Sequence, residues 1–289
     1  MRPVFNSGKC ARGVPRTSAT LISVPQSNRT PKVMIRHLIR SRRVLAAGIH
    51  LFVSASVAAV AALVVFLLWF PPPYAAISGG LSLFVLLVSV DVVLGPALTA
   101  IAASPSKPAR ELRRDLAVIV AIQLAAFAYG IHAIALARPV VLSFEVDRMR
   151  VVTAADIEEG SLMKAPASLR KLSWSGPVVI AAVKPTDPDE VLRSIQLGLA
   201  GTDLSMIPGN WREFESQHDA AWLAARPVAR LLAQYPRALG EVDAAASGAG
   251  VAVQQLRFLP VLSRRASWVA LVAPASARVV GFLPLDGFF

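Results

Sequence analysis

Three uninterrupted apolar runs, each long enough to cross a bilayer, constrain this chain more than any other feature. The first is Val44 to Phe70, with His50 as its one titratable group. The second is Ala75 to Ala103, with Asp91 as its one charge. The third is Leu116 to Leu136, with Gln123, Tyr129 and His132 as its polar residues. At roughly 1.5 Å per residue, each run reaches or exceeds a hydrocarbon core of ~30 Å. Lipid offers no hydrogen-bond partners, so such runs are helices, and three of them exclude an outer-membrane barrel despite the terminal Phe288-Phe289. The first run is too long for a signal-peptide core and no A-x-A site follows it closely, so it reads as an uncleaved signal anchor.

Composition agrees. Hydrophobic residues make up 55% and charged residues 17% of the 289, against about a quarter charged in soluble domains. Mean hydropathy is +0.55. A disordered chain, a coiled coil and a soluble enzyme filling the whole length are excluded. The single cysteine, Cys10, excludes an intramolecular disulfide, a CxxC pair and a thiolate zinc cluster.

The net charge of +12 invites a nucleic-acid reading, but its distribution argues otherwise. Residues 1–43 carry ten basic and no acidic residues, 44–136 four and three, 137–289 sixteen and fifteen. The excess sits before the first span, where it is a topology signal, and no nucleic-acid partner is expected. Arg36, Arg40, Arg42 and Arg43 precede span one, and Lys107, Arg110, Arg113 and Arg114 lie between spans two and three. The link Pro71-Pro72-Pro73-Tyr74 is uncharged. Basic loops stay in the cytoplasm. The sequence therefore predicts a multi-pass membrane protein, in contact with lipid, N-terminus inside and everything after Leu136 outside. Trp69, Phe70 and Tyr74 fall where an outer aromatic belt belongs.

Three regions follow. Residues 1–33 read as a disordered basic tail, and Met34, just before the arginine cluster, is a plausible true start. Residues 34–136 form a three-helix transmembrane domain with spans of about 44–70, 75–103 and 116–136. Residues 137–289 form a mixed α+β extracytoplasmic domain. In that domain Val140–Thr153 and Val178–Val183 read as strand, and Asp187-Pro188-Asp189-Glu190 starts a helix through Leu199. Trp211–Ala233 reads as helix interrupted before Pro227, and Ala244–Gly250 as a small-residue linker. Leu256–Leu262, Trp268–Val272 and Val279–Leu283 read as an antiparallel meander.

Chemical motifs are sparse. Ser161-Leu-Met-Lys164 fits the S-x-x-K of serine acyl enzymes, without S-D-N or K-T-G. Asn28-Arg29-Thr30 is a sequon in the inside tail. There is no P-loop, HExxH or GxGxxG, and His37, His50, His132 and His218 have no ligand spacing. No catalytic, cofactor or metal residue is assigned, and the chain does not read as an enzyme.

Asp91 is the most informative residue. A carboxylate at a helix centre costs roughly 2.5–3.5 kcal/mol on insertion scales, so it needs a partner. It lies twelve residues, or about 18 Å, from the inner end of span two, level with Ser56 and Tyr129, either of which has a hydroxyl to donate. Gly95-Pro96 follows one turn later, where proline releases the Val92 carbonyl and kinks the helix. Two readings stand open: recognition of another transmembrane helix, and internal bundle glue.

Asp91-Val-Val-Leu-Gly-Pro-Ala-Leu-Thr99 resembles the D-x-x-x-G-P-x-L-T signature of type IV pilin accessory proteins of the TfpX/TfpZ type. Trp69-Phe-Pro-Pro-Pro-Tyr74, Arg114-Asp-Leu-Ala-Val-Ile-Val-Ala-Ile-Gln123, Tyr129-Gly130, Arg138-Pro139 and Phe144-Glu-Val-Asp-Arg148 are similar to that family too. The resemblance covers roughly 36–289. It implies a non-catalytic inner-membrane factor, without cofactor, that assists the stability or assembly of a type IV pilin subunit. Asp91, Gly95, Pro96, Thr99, Gln123 and Tyr129 become candidates for pilin recognition or for polar contacts inside the bundle. A pilin presents one apolar N-terminal helix and an outer head, and a helix bundle with an outer domain has the shape to meet both. The alternative is a membrane-anchored sensor or ligand-binding protein, but the only inside segments are the tail and the loop Ser104–Asp115.

Overall fold

The structure, a computed structural model, describes residues 31–104, 107–274 and 276–289, with side chains from residue 43 onward. The tail expected to be disordered lies, up to residue 30, outside the described residues, as do the sequon and the His37 side chain. Residues 31–33 open the first helix, α1 (Pro31–Leu63), where proline suits the first turn.

Three helical segments are long and apolar enough to cross a membrane: Arg43–Trp69, Gly80–Ala102 and Ala109–Ala137. The first is α1 continued by a π-helical turn, Val64–Trp69. Residues 75–79, expected inside span two, lie before it. Tyr74–Ile77 forms a separate short helix, α2, and Gly79 at φ +72° breaks the chain before α3 (Gly80–Ser89). Five residues, Val90–Leu94, then widen into a π-turn, and α4 (Gly95–Ala102) completes the crossing. The third crossing, α5 (Ala109–Ala137), starts earlier than expected and takes Arg110, Arg113 and Arg114 onto its first turns. Lys107 closes the preceding loop on Asp115 at 2.5 Å, and that hydrogen bond holds its ammonium above the usual lysine pKa. Helix α4 packs against both α1 and α5, and α3 packs against α5.

The remaining chain builds one mixed sheet. Its strands are β1 (Pro139–Glu145), β2 (Arg148–Thr153), β3 (Val178–Ala182), β4 (Trp211–Glu213), β5 (Arg226–Pro227), β6 (Arg257–Leu262), β7 (Ser267–Val272) and β8 (Val279–Leu283). The order is β4-β3-β1-β2-β6-β7-β8, with β5 on β6. The segment 140–153 is a hairpin turned at Val146-Asp147, and β6-β7-β8 is the antiparallel meander that alternation predicted. The pairings β1–β3 and β2–β6 are parallel.

Helix α6 (Pro188–Leu199) starts where its acidic first turn indicated, with the Asp187 carboxylate accepting from the Asp189 and Glu190 amides. Two expectations are corrected. Residues 211–213 form β4, because Trp211 fills the core and donates its indole N–H to Ser205 O; the 3₁₀ turn Phe214–Gln217, α7 (His218–Ala224) and α8 (Val228–Gln234) then follow, with the break before Pro227 that the sequence indicated. The expected linker 244–250 belongs largely to α9 (Leu239–Ala249), whose Val242 and Ala246 are buried one turn apart.

Sheet and spans form one body. Ile77 is fully buried among Leu142, Phe144 and Leu259. Ser263 Oγ donates to Ile77 O at 2.8 Å, and Gly176 N to Leu68 O at 2.8 Å. Tyr74 stands edge-on to Phe282, and burial pushes its phenol pKa well above the usual range.

Candidate functional site

The interior face of the second crossing is a stripe with a four-residue period. Asp91, Gly95 and Thr99 are buried, while Val93, Leu94, Ala97 and Leu98 face outward. The same helical period sets inward positions on α5, at Gln123, Phe127, Gly130 and Ile134, and on α1, at His50, Ser54 and Ala58. The three stripes converge between the middle of the bundle and its α4–α5 loop end.

There, the His50 ring Nδ1 and Thr99 Oγ1 lie 2.6 Å apart. Gln123 Nε2 reaches the backbone oxygen of Asp91 at 3.5 Å. The π-turn explains why that oxygen is open. In the i→i+5 register its donor would be residue 96, and Pro96 has no N–H. Gly95 permits the convergence: a Cβ there would press into the Gln123 amide and come within 2.9 Å of His50 Nε2. The side-chain atoms Asp91 Oδ1 and Gln123 Oε1 are buried without a partner.

Of the six residues singled out in the sequence, Asp91, Gly95, Thr99 and Gln123 gather at this point, and Pro96 shapes the turn that carries them. Tyr129 does not join them; it is 77% exposed on the outer flank of α5. Ser56 turns back to donate to Phe52 O. Depth matches Asp91 to both hydroxyls, but depth does not fix the direction in which a helical residue faces. The residue that sequence reasoning missed is His50. The available signal was that each span carries a strongly polar group, and that these three groups must find one another in lipid.

The polar cluster floors a groove. A cavity of about 460 Å³ is walled by Ile49, Val53 and Val57 of α1 and by Val120, Leu124 and Phe127 of α5, with Asp91 and Thr99 at its base. A second cavity of about 450 Å³ continues between the same two helices past Val60 and Val64 to Trp69 and Ile131. Together they run along α1 from Ala46 to Trp69, about 35 Å at helical rise. At the sheet end, Arg138 stacks on Trp174 at 4.1 Å and donates to Ala135 O at 2.6 Å. Burial lowers the Arg138 pKa from its ordinary value.

Among the described residues, no group of three or more His, Cys, Asp or Glu is placed to hold a metal. In the S-x-x-K match, the Ser161 hydroxyl donates to Glu158 O at 2.6 Å within a short 3₁₀ run.

The family model described as fimbrial assembly protein FimB matches residues 39–79. The fimbrial assembly protein of serogroup I from Dichelobacter nodosus is 32% identical over 242 residues, covering 83% of this chain and 94% of its own. The serogroup E1 protein of that organism is 30% identical over the same length and shares. The protein of serogroups C1 and C2 is 44% identical over 110 residues, 38% of this chain and 84% of its own. No solved structure matches the chain.

Proposed function

The chain belongs to the fimbrial assembly protein family, and from that membership we propose that it assists type IV pilus assembly by holding the transmembrane helix of a pilin in the groove between α1 and α5. The observation that carries this reading is the pair of buried, unpartnered acceptors, Asp91 Oδ1 and Gln123 Oε1, at the base of a groove as long as a bilayer is thick. A small residue on a guest helix would let it approach closely, and a donor on it would satisfy these atoms once the Asp91 and Gln123 side chains turn toward the groove. Small and polar residues are the usual means of association between helices in lipid, where apolar surface alone gives no preference for protein over acyl chain.

The reading is of a binding protein and not an enzyme. The groove walls are apolar and continuous, suited to a helix rather than to a small enclosed substrate. The proposed setting is a bacterial inner membrane, with the α4–α5 loop in the cytoplasm and the sheet domain in the periplasm. The charge asymmetry of the linkers supports that orientation. The sheet domain, locked to the spans through Ile77, Ser263 and Gly176, would stand beside the head of the bound pilin.

The test compares two substitutions of Asp91. Asp91→Asn keeps the shape and an amide able to bond, and should retain most pilin co-purification and surface piliation. Asp91→Leu removes the acceptor and should lower both. Polar contacts between membrane helices average only about 0.6 kcal/mol, so the protein's own abundance should survive Asp91→Leu. If Asp91→Asn is as damaging as Asp91→Leu, an ionisable carboxylate is required and helix recognition by hydrogen bonding fails. If both leave pilin untouched but lower the protein's own level, Asp91 only holds the bundle together.

A further inference from the structure

The junction between spans and sheet carries a second concavity, unrelated to the groove. It encloses about 320 Å³ between the last turn of α5, the first turn of α3 and the β6–β7 turn. Its lower wall is apolar: Leu83, Ala133, Leu136 and Ala137. Leu83 lies three residues inside the end of its crossing and Ala133 four, so this wall reaches about 4–6 Å below the sheet-side ends of the two helices. Its upper rim is Ser78, Arg264 and Arg265.

The two arginines are not equivalent. Arg264 is paired with Asp156, whose other carboxylate oxygen accepts from Thr153 N and Oγ1. That carboxylate is saturated and Arg264 is neutralised. The Arg265 guanidinium has no carboxylate within ion-pair distance among the described residues. Its Cδ, Nε and Cζ lie against Gly79, where a Cβ would collide with them, so the cation sits over the break between α2 and α3. Beneath it, Ser78 Oγ is buried with no partner. The β6–β7 turn that presents Arg265 is itself pinned: Ser263 Oγ bonds Ile77 O and also receives the Arg265 and Ala266 amides.

We propose that this niche is a binding site for one anionic phospholipid of the leaflet on the sheet-domain side. One unpaired cation and one free hydroxyl sit at headgroup height above a wall at acyl-chain height. A phosphate would accept from Arg265 and Ser78, and the first acyl carbons would lie along Leu83, Ala133 and Leu136. The niche carries a single uncompensated positive charge and no described acidic group free to meet an ammonium. A lipid of net charge −1, such as phosphatidylglycerol, therefore matches it better than a zwitterionic one. A free phosphate would satisfy the rim but leave the apolar wall unused.

The full-length protein in detergent, mixed with phosphatidylglycerol or phosphatidylcholine of the same acyl chains, tests this by native mass spectrometry. The wild type should retain one phosphatidylglycerol, preferred roughly fivefold, the worth of about one interfacial arginine. Arg265→Gln should erase the preference, Arg265→Lys should keep most of it, and Ser78→Ala should weaken retention. Millimolar glycerol phosphate should not displace the lipid. Equal retention of the two lipids by the wild type, or an unchanged preference in Arg265→Gln, overturns the proposal. Displacement by glycerol phosphate overturns it in favour of a soluble phosphate site.

Discussion

His50 and Asp91 are polar groups inside apolar crossings, and each is accommodated differently. His50 has a hydroxyl partner in Thr99 at 2.6 Å, on a neighbouring helix. Asp91 has only its backbone oxygen answered, by Gln123, while Oδ1 stays open. The first arrangement is structural and the second leaves a vacant bonding position, which is why the proposed recognition is assigned to Asp91 and not to His50. A double-mutant cycle separates them. His50→Leu and Thr99→Val should each lower the thermal stability of the detergent-solubilised protein, with a coupling energy of about 0.6 kcal/mol and no more than roughly 1.7. Asp91→Leu should couple to Thr99→Val by less than that pair does to each other. At this scale the sequence pointed to Asp91, Gly95, Thr99 and Gln123, which the fold brings together, and to Tyr129, which it does not, and it passed over His50. Asp91, Gly95 and Thr99 share a face because they are four residues apart, which can be read directly. That Gln123 and His50 face them, and Tyr129 and Ser56 do not, depends on the rotation of two other helices and on a π-turn that advances the register at Pro96.

Elements with strong local signals were legible, and those whose identity depends on distant partners were not. The three crossings, the capped start of α6 and the C-terminal meander follow from hydropathy, an Asp-Pro start and alternation. Helix α9 was obscured because Ala244–Gly250 has the composition of a linker. Its small residues serve close packing instead: a Cβ on Gly281 of β8 would lie 3.1 Å from Ala245 Cβ. The parallel pairs β1–β3 and β2–β6 have no local signature, since each joins segments far apart in the chain. The N-terminal tail makes the opposite prediction. Residues 1–33 are rich in Arg, Ser, Thr and Pro and poor in apolar residues, a composition that buries no core. A chain started at Met34 should insert and support piliation at the level of the full chain. Loss of membrane insertion would show that the tail carries targeting information beyond the Arg36–Arg43 cluster.

On the scale of the whole molecule, spans and sheet form one body, so the direction of one fixes the direction of the other. Alkaline phosphatase fused after Leu136 or at the C-terminus should be active, and a fusion after residue 106 inactive. The reverse pattern would place the sheet in the cytoplasm and separate it from any periplasmic pilin head. The central claim is that a pilin helix occupies the groove between α1 and α5, and site-specific photo-cross-linking in cells measures it most directly. Val57 lines both cavities of the groove, and Tyr129 faces the opposite flank. A photo-reactive amino acid at Val57 should yield a covalent adduct with pilin, lost in the Asp91→Leu background, while the same probe at Tyr129 should yield none. Equal adducts from both positions, or adducts from Tyr129 alone, would contradict a helix held in the groove.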